Sequence, residues 1–146
     1  MARTVTTEIE INAPTSTVWD NLTQLESFAE WNPFITRSSG TVAVGSKLEN
    51  HMDLPGGRAM TFKPTVTEVK EGEVFEWLGS LPLAKLFDGR HRFELHPTPS
   101  GGTRLVHSEV FTGLLVPIMG AKLYERTEAG FVAMNEALKA RAEAAA

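Results

Sequence analysis

The chain has 146 residues, of which 42% are hydrophobic and 22% charged, with a net charge of -4 at pH 7. These values are typical of a single globular domain, here residues 1–146, and they argue against nucleic-acid binding, which usually requires a basic face. The absence of cysteine excludes disulfides and thiolate catalysis, and no apolar run reaches the ~18 residues of a membrane span. Because the N-terminus lacks the pattern of a signal peptide, the predicted compartment is the cytoplasm.

The first third of the chain predicts one strand and two short helices. Residues 4–11 alternate between apolar and polar side chains, which indicates a strand. Pro14 favours a helix start, because its missing N–H costs nothing there, and the residues after it have apolar side chains at helical spacing. A second short helix, around Phe28 and Trp31, is predicted to end before Pro33, since the residue before a proline disfavours helix.

The middle of the chain predicts an antiparallel meander. Alternating segments are separated by short connections rich in glycine and proline, and such connections join antiparallel neighbours. The predicted strands are residues 35–43, 47–54, 59–70, 73–80, 87–97 and 103–112. After Gly113 the apolar period becomes helical, which predicts one long helix from Pro117 to about Glu143.

Two of these strands place titratable side chains on an apolar face. His91 shares a face with Phe93, and His107 and Glu109 share a face with Phe111, because side chains two apart on a strand point the same way. A filled core rarely accepts such groups, whereas the lining of a cavity does. The pattern therefore predicts a cavity with a few polar points.

The order of the elements and several local motifs resemble one superfamily. The segments INAPTSTVWD, FAEWNP, VFEWLG, FDGRHRFEL, GGTRLVHSEVFTG and GFVAMNEALK look like the START/pollen-allergen-like (SRPBCC) superfamily, and within it the bacterial polyketide cyclase/dehydrase-type branch. The resemblance covers essentially the whole chain. It implies an α+β helix-grip fold, in which a seven-stranded curved antiparallel sheet wraps around the long C-terminal helix, with two short helices after the first strand. It further implies a hydrophobic cavity between sheet and helix, but no catalytic set that transfers residue by residue.

Strand parity and helical spacing predict the lining of this cavity. The candidate catalytic residues are His91, His107 and Glu109, since histidine titrates near neutrality and an apolar environment raises the pKa of a carboxylate. The candidate ligand-binding residues are Met52, Phe62, Phe75, Trp77, Phe93, Leu95, Phe111, Tyr124 and Phe131. A β-bulge at Gly79 or Gly89 would reverse the parity of the residues beyond it and bring Asp88 and Arg90 to the cavity instead of His91.

Three functions agree with this pattern. The first is binding of a hydrophobic or aromatic small molecule, and the second is a cyclase or dehydratase of the lyase or isomerase type that works without a cofactor. The third is a protein-interaction or stress co-regulator domain. The two histidines and the carboxylate lack the short spacing of a metal site, so neither a metal nor a cofactor is predicted.

Three predicted connections at one end of the sheet are rich in leucine: Leu54–Pro55, Leu81–Leu83 and Leu114–Pro117. Leucines gain nothing from facing solvent, so this apolar rim forms a hydrophobic mouth, folds down as a plug, or makes a homodimer contact. The sequence leaves these three alternatives open.

Overall fold

A computed structural model describes residues 2–80 and 86–145. The chain begins with β1 (Ala2–Ile11), α1 (Thr15–Thr23), a 3-10 turn (Leu25–Ser27) and α2 (Phe28–Trp31). The strands that follow are β2 (Ile35–Ser39), β3 (Glu49–Asp53), β4 (Ala59–Phe62), β5 (Thr65–Lys70), β6 (Val74–Ser80), β7 (Asp88–Pro97) and β8 (Thr103–Thr112). A 3-10 turn (Val116–Ile118) precedes α3 (Ala121–Ala145), which closes the fold.

The strands form two antiparallel sheets whose order matches a helix-grip fold. The larger sheet has the order β1-β8-β7-β6-β5 and the smaller one β2-β3-β4. The α+β helix-grip architecture predicted from the sequence is therefore confirmed, but the described residues contain eight strands rather than seven.

The difference arises at Pro64, where the single strand predicted over residues 59–70 breaks into β4 and β5. Proline has no N–H to donate to a ladder, so it interrupts a strand. The residues before β3 run alongside the start of β5 across this break. Backbone bonds from Gly45 N to Val66 O, from Val66 N to Ser46 O and from Leu48 N to Pro64 O join the two sheets there. We call this junction the seam.

The long helix α3 lies against β1 and α1. Tyr124, Phe131, Met134 and Leu138 are buried along its inner face, at the predicted helical spacing. The helix begins at Ala121 rather than at Pro117, because the preceding residues form the 3-10 turn and Gly120 takes a left-handed φ of +81°.

The register of β6 and β7 settles which side chains face the helix. Gly79 pairs with Gly89 and Trp77 with His91 without a shift, so neither glycine marks a bulge. The register shifts lie elsewhere, in β2 and β5. The side chain of His91 accordingly points inward, as parity predicts.

The opposite face of β6 and β7 is charged. Arg90 and Arg92 both donate hydrogen bonds to Glu76, which is 6% exposed. Burial alone would raise the pKa of Glu76, but the hydrogen bonds from Arg90, Arg92 and Thr67 outweigh it and lower that pKa. The outer face thus consists of paired charges, and the apolar inner face is left to form the cavity.

Candidate functional site

A cavity opens between the two sheets and α3, on the inner side of the seam. Its lining is mostly aromatic and aliphatic: Met52, Leu54, Met60, Phe62, Trp77, Gly79, Ser80, Phe87, Gly89, His91, Glu109, Phe111, Leu123 and Thr127. It has about 80 Å³ of free space. One water needs roughly 10–15 Å³ on this measure, so several waters would fit, and an aromatic ring requires the lining to widen. Met52 and Met60 are flexible side chains, and their movement would widen the cavity.

The structure brings six of the twelve predicted site residues to this cavity: Met52, Phe62, Trp77, His91, Glu109 and Phe111. The other six are buried behind it. Phe75, Phe93, Leu95 and Phe131 lie in the close-packed core, each at most 2% exposed. Parity determines the face on which a side chain lies but not its depth along the strand, and at these positions the inward face meets other aromatic rings.

Tyr124 is also outside the cavity lining. Its ring packs edge-to-face on Phe111, and the Arg3 guanidinium lies 4.1 Å from the ring centre on another side. Its hydroxyl donates a hydrogen bond of 3.1 Å to the Val116 carbonyl oxygen. The hydroxyl of this candidate ligand-binding residue therefore already has a partner in the backbone.

His91 and Glu109 are the two titratable residues of the described lining. They stand opposite each other on β7 and β8, and His91 Nδ1 lies 3.6 Å from Glu109 Oε1. This distance is slightly too long for a hydrogen bond. His91 Nδ1 is buried and has no hydrogen-bond partner among the described residues. A ligand group or a small movement of Glu109 would satisfy it.

Behind His91, a chain of hydrogen bonds runs to β1. His91 Nε2 is 2.7 Å from His107 Nε2, and His107 Nδ1 is 2.8 Å from Asn135 Oδ1. Asn135 Nδ2 donates to Thr7 Oγ1 at 2.9 Å, and Thr7 Oγ1 donates to the His107 carbonyl oxygen at 3.2 Å. Phe131 stacks on the His107 ring at 3.9 Å between centres. His107 thus contacts the cavity only through His91.

Burial shifts the pKa of all three titratable groups toward the neutral form. It lowers the pKa of His107 to about 3, against a smaller opposing effect of the hydrogen bond to Asn135. Burial, together with the nearby His107, holds the pKa of His91 well below 6.5. Burial raises the pKa of Glu109 to about 8. At neutral pH the site therefore presents two uncharged imidazoles and a protonated carboxyl group.

Sequence reasoning missed several lining residues for identifiable reasons. Leu54 and Met60 are not among them, because strand parity predicts both on the same face as Met52 and Phe62. Gly79 and Gly89 have no side chain, so a pattern of apolar side chains does not predict them as lining residues. Phe87 lies in the strand predicted over residues 87–97 with the parity of His91, so the pattern could have included it. In the structure it precedes β7 and stacks on Phe111 with ring centres 5.3 Å apart.

The structure describes two of the three predicted segments of the apolar rim, Leu54–Pro55 and Leu114–Pro117. Leu54 lines the cavity, whereas Leu114 is 78% exposed and so does not fold down as a plug. Leu115 N donates to the Leu86 carbonyl oxygen, which joins the rim segment Leu114–Pro117 to the residues before β7. The predicted rim segment Leu81–Leu83 lies outside the described residues.

In the described part of the chain, none of the helices is long and apolar enough to cross a membrane. Among the same residues, no three histidine or carboxylate side chains are grouped as metal ligands would be.

The fold and the cavity define a helix-grip protein of the START-like class. Residues 2–143 match the family described as polyketide cyclase/dehydrase and lipid transport, and the chain belongs to that family. No curated protein sequence matches the chain significantly.

Solved structures of the same fold are numerous but distant in sequence. A START superfamily protein from Mycobacterium smegmatis is 19% identical, with a TM-score of 0.77 over 98% of this chain and 99% of that one. The Zhui aromatase/cyclase from Streptomyces sp. R1128 is 18% identical, with a TM-score of 0.77 over 98% and 94%. Protein MLL2253 from Mesorhizobium loti is 23% identical, with a TM-score of 0.71 over 94% of both chains. At these identities the likeness shows a shared fold.

Proposed function

We propose that this protein binds an uncharged aromatic or otherwise apolar small molecule inside the cell, in the cavity between the two sheets and α3. The observation that carries the proposal is a buried ring nitrogen without a hydrogen-bond partner among the described residues, His91 Nδ1, on a residue that lines a cavity rich in aromatic rings. An apolar ligand gains from burial against those rings, and a hydroxyl on it gains a hydrogen bond to His91.

Charge supports an uncharged ligand. The described lining contains neither lysine nor arginine, and its one carboxyl group, Glu109, is protonated near neutral pH. An anionic ligand would be desolvated there without a compensating cation, which is costly. A neutral phenol or alcohol has no such penalty.

Calorimetry with 2-naphthol as the probe tests this binding, with naphthalene as the comparator that lacks the hydroxyl. We expect 2-naphthol to bind about tenfold more tightly, the value of roughly one hydrogen bond. Gly79→Val fills the cavity and should abolish binding of both probes. Ser108→Val, on the outer side of β8, should bind both normally. Absence of binding to the unmodified protein, or undiminished binding to Gly79→Val, would refute the proposal.

The same pair of residues favours a second function, an enzyme acting on a carbonyl compound. His91 Nδ1 would remove a proton from the carbon next to the carbonyl, and the C–H electron pair would form the enol double bond. Glu109 would give its proton to the carbonyl oxygen at the same time. The products are an enol, an imidazolium and a carboxylate, and the last two stand 3.6 Å apart as an ion pair.

Variants separate binding from catalysis. Glu109→Gln keeps a hydrogen-bond donor but cannot give up a proton, and His91→Gln removes the base. If the protein is an enzyme, both variants should bind 2-naphthol and yet fail to exchange the α-protons of a simple aryl ketone with deuterium. Exchange that is equal in unmodified protein and both variants would remove the enzymatic function.

A further inference from the structure

We propose that Thr7 and Asn135 are positioning residues that hold His107 and His91 in opposite tautomers, so that the lone pair of His91 lies on Nδ1, the ring nitrogen beside Glu109. The proposal deepens the proposed function and rests on it for the use of that lone pair, but the tautomers themselves can be measured without any ligand.

Thr7 lies directly opposite His107 in the β1–β8 ladder. The Thr7 hydroxyl donates its single hydrogen to the His107 carbonyl oxygen. The Thr7 hydroxyl oxygen can then only accept a hydrogen bond from Asn135, because a hydroxyl has one hydrogen to give. Asn135 must therefore turn its Nδ2 toward Thr7, at 2.9 Å.

This orientation determines which nitrogen of His107 carries the hydrogen. With Nδ2 directed at Thr7, Asn135 presents Oδ1 to His107 Nδ1 at 2.8 Å. A carbonyl oxygen only accepts, so His107 Nδ1 must be the donor. His107 is neutral in this apolar environment, and its Nε2 therefore carries the lone pair.

The lone pair on His107 Nε2 in turn determines which nitrogen of His91 carries the hydrogen. Its Nε2 lies 2.7 Å from the lone pair on His107 Nε2 and must donate to it. A neutral His91 then has its own lone pair on Nδ1, the atom beside Glu109. In the reverse tautomers, the lone pair of His107 Nδ1 would face the lone pairs of Asn135 Oδ1. This repulsion would cost more free energy than the loss of one hydrogen bond. Thr7 on β1 and Asn135 on α3 thus decide the proton-accepting property of a cavity atom that neither of them contacts.

The decisive measurement is long-range ¹H–¹⁵N correlation on the full chain with ¹⁵N-labelled histidine at pH 7. This spectrum distinguishes a protonated ring nitrogen from an unprotonated one in each histidine. Loss of a signal set in His91→Phe and in His107→Phe assigns the two buried rings. We expect the hydrogen of His107 on Nδ1 and that of His91 on Nε2. A hydrogen on His91 Nδ1, or on both nitrogens of either ring, would overturn the proposal.

Variants of the two positioning residues give the second part of the test. Asn135→Leu and Thr7→Val should both place part of the hydrogen of His91 on Nδ1, whereas Thr7→Ser should keep the original spectrum because it retains the hydroxyl. Thr6→Val, whose side chain lies on the exposed face of β1, is the matched control. A structural role alone would lower the melting temperature without moving the tautomers, so unchanged spectra in Asn135→Leu and Thr7→Val would also refute the proposal.

Ligand binding separates this proposal from the proposed function. Asn135→Leu and Thr7→Val should each weaken 2-naphthol binding up to about tenfold and leave naphthalene binding unchanged, because only the hydroxyl needs the lone pair. If the tautomers are reversed in a protein that binds 2-naphthol, the inference is wrong and the binding function stands. If the tautomers are as proposed but 2-naphthol does not bind, the positioning is right and the binding function is wrong.

Discussion

The carboxyl group of Glu109 lies directly over Gly89 on the neighbouring strand, so that a methyl group at position 89 would come within 2.2 Å of Glu109 Oε2. No real side chain tolerates this distance. The missing side chain of Gly89 therefore provides the space that holds the carboxyl group beside His91. A residue without functional groups thus determines where the acid of the site lies.

Gly89→Ala should push the Glu109 carboxyl group toward solvent. In water the pKa of this group returns from about 8 toward 4.5, because the cause of its shift is burial. A ¹³C NMR titration of the side-chain carboxyl measures the change directly. Gly79→Ala is the matched control, since a methyl group there meets Pro64 at an ordinary 3.8 Å. A Glu109 pKa that is the same in both variants would contradict this relationship.

Stability should fall as the pH rises from about 4.5 through 8, because the folded state holds a proton on Glu109 that the unfolded chain releases. The full contribution is on the order of 5 kcal/mol of unfolding free energy. Glu109→Gln, which has nothing to ionise, should lack this decrease. Urea denaturation at a series of pH values measures both proteins. Parallel curves for the two proteins between pH 6.5 and 8 would show that Glu109 is ionised in the folded state.

The buried histidines should produce a loss of stability in acid. The pKa of His107 is lowered to about 3 in the folded state, so the unfolded chain binds a proton below 6.5 that the folded chain does not. The contribution of His107 to the free energy of unfolding is fully present above pH 6.5 and is lost as the pH falls toward 3. His107→Gln should reduce this loss of stability in acid. His96→Gln, at a side chain 44% exposed, should leave the loss unchanged. Denaturant midpoints between pH 3 and 7 make the comparison, and a loss of stability in acid unaffected by His107→Gln would count against a neutral buried His107.

Tyr124→Phe should leave ligand binding unchanged and cost about 1 kcal/mol of stability, the net value of one hydrogen bond. The reason is that the hydroxyl is bonded to the Val116 carbonyl and Tyr124 is outside the cavity lining. Calorimetry with 2-naphthol and thermal unfolding test the two parts separately. A tenfold loss of binding at unchanged stability would instead place the hydroxyl on the ligand and Tyr124 among the ligand-binding residues.

The strands could be predicted closely where alternation is unbroken. β8 spans the predicted residues 103–112, and the parity of His91 and Glu109 is as predicted. The single strand predicted over residues 59–70 missed the break at Pro64, although a proline that cannot donate to a ladder is a signal for such a break. The depth of a side chain along its strand was not readable. Phe93 and Trp77 have equivalent inward positions on paired strands, yet only Trp77 reaches the cavity.

The hydrogen bond between His91 and His107 was also outside the reach of sequence reasoning. These two residues are not a directly opposed pair, because His91 stands opposite Glu109 and His107 opposite Phe93. Their contact is diagonal across the ladder, and it depends on the rotamers that the surrounding aromatic rings allow. Asn135 joins them from a helix 28 residues beyond His107 in the sequence. Such a contact requires the three-dimensional packing of β7, β8 and α3.

The seam between the two sheets gives the cavity a mechanical property. Met52, Leu54, Met60 and Phe62 belong to the side of β3 and β4, whereas Trp77, His91, Glu109 and Phe111 belong to the five-stranded sheet. A few backbone hydrogen bonds around Pro64 join these two halves. A ligand that contacts both halves crosslinks them. The ligand-free and ligand-bound proteins should therefore differ in flexibility most at the seam. Amide hydrogen exchange at Gly45, Leu48 and Val66 would then report occupancy from outside the cavity.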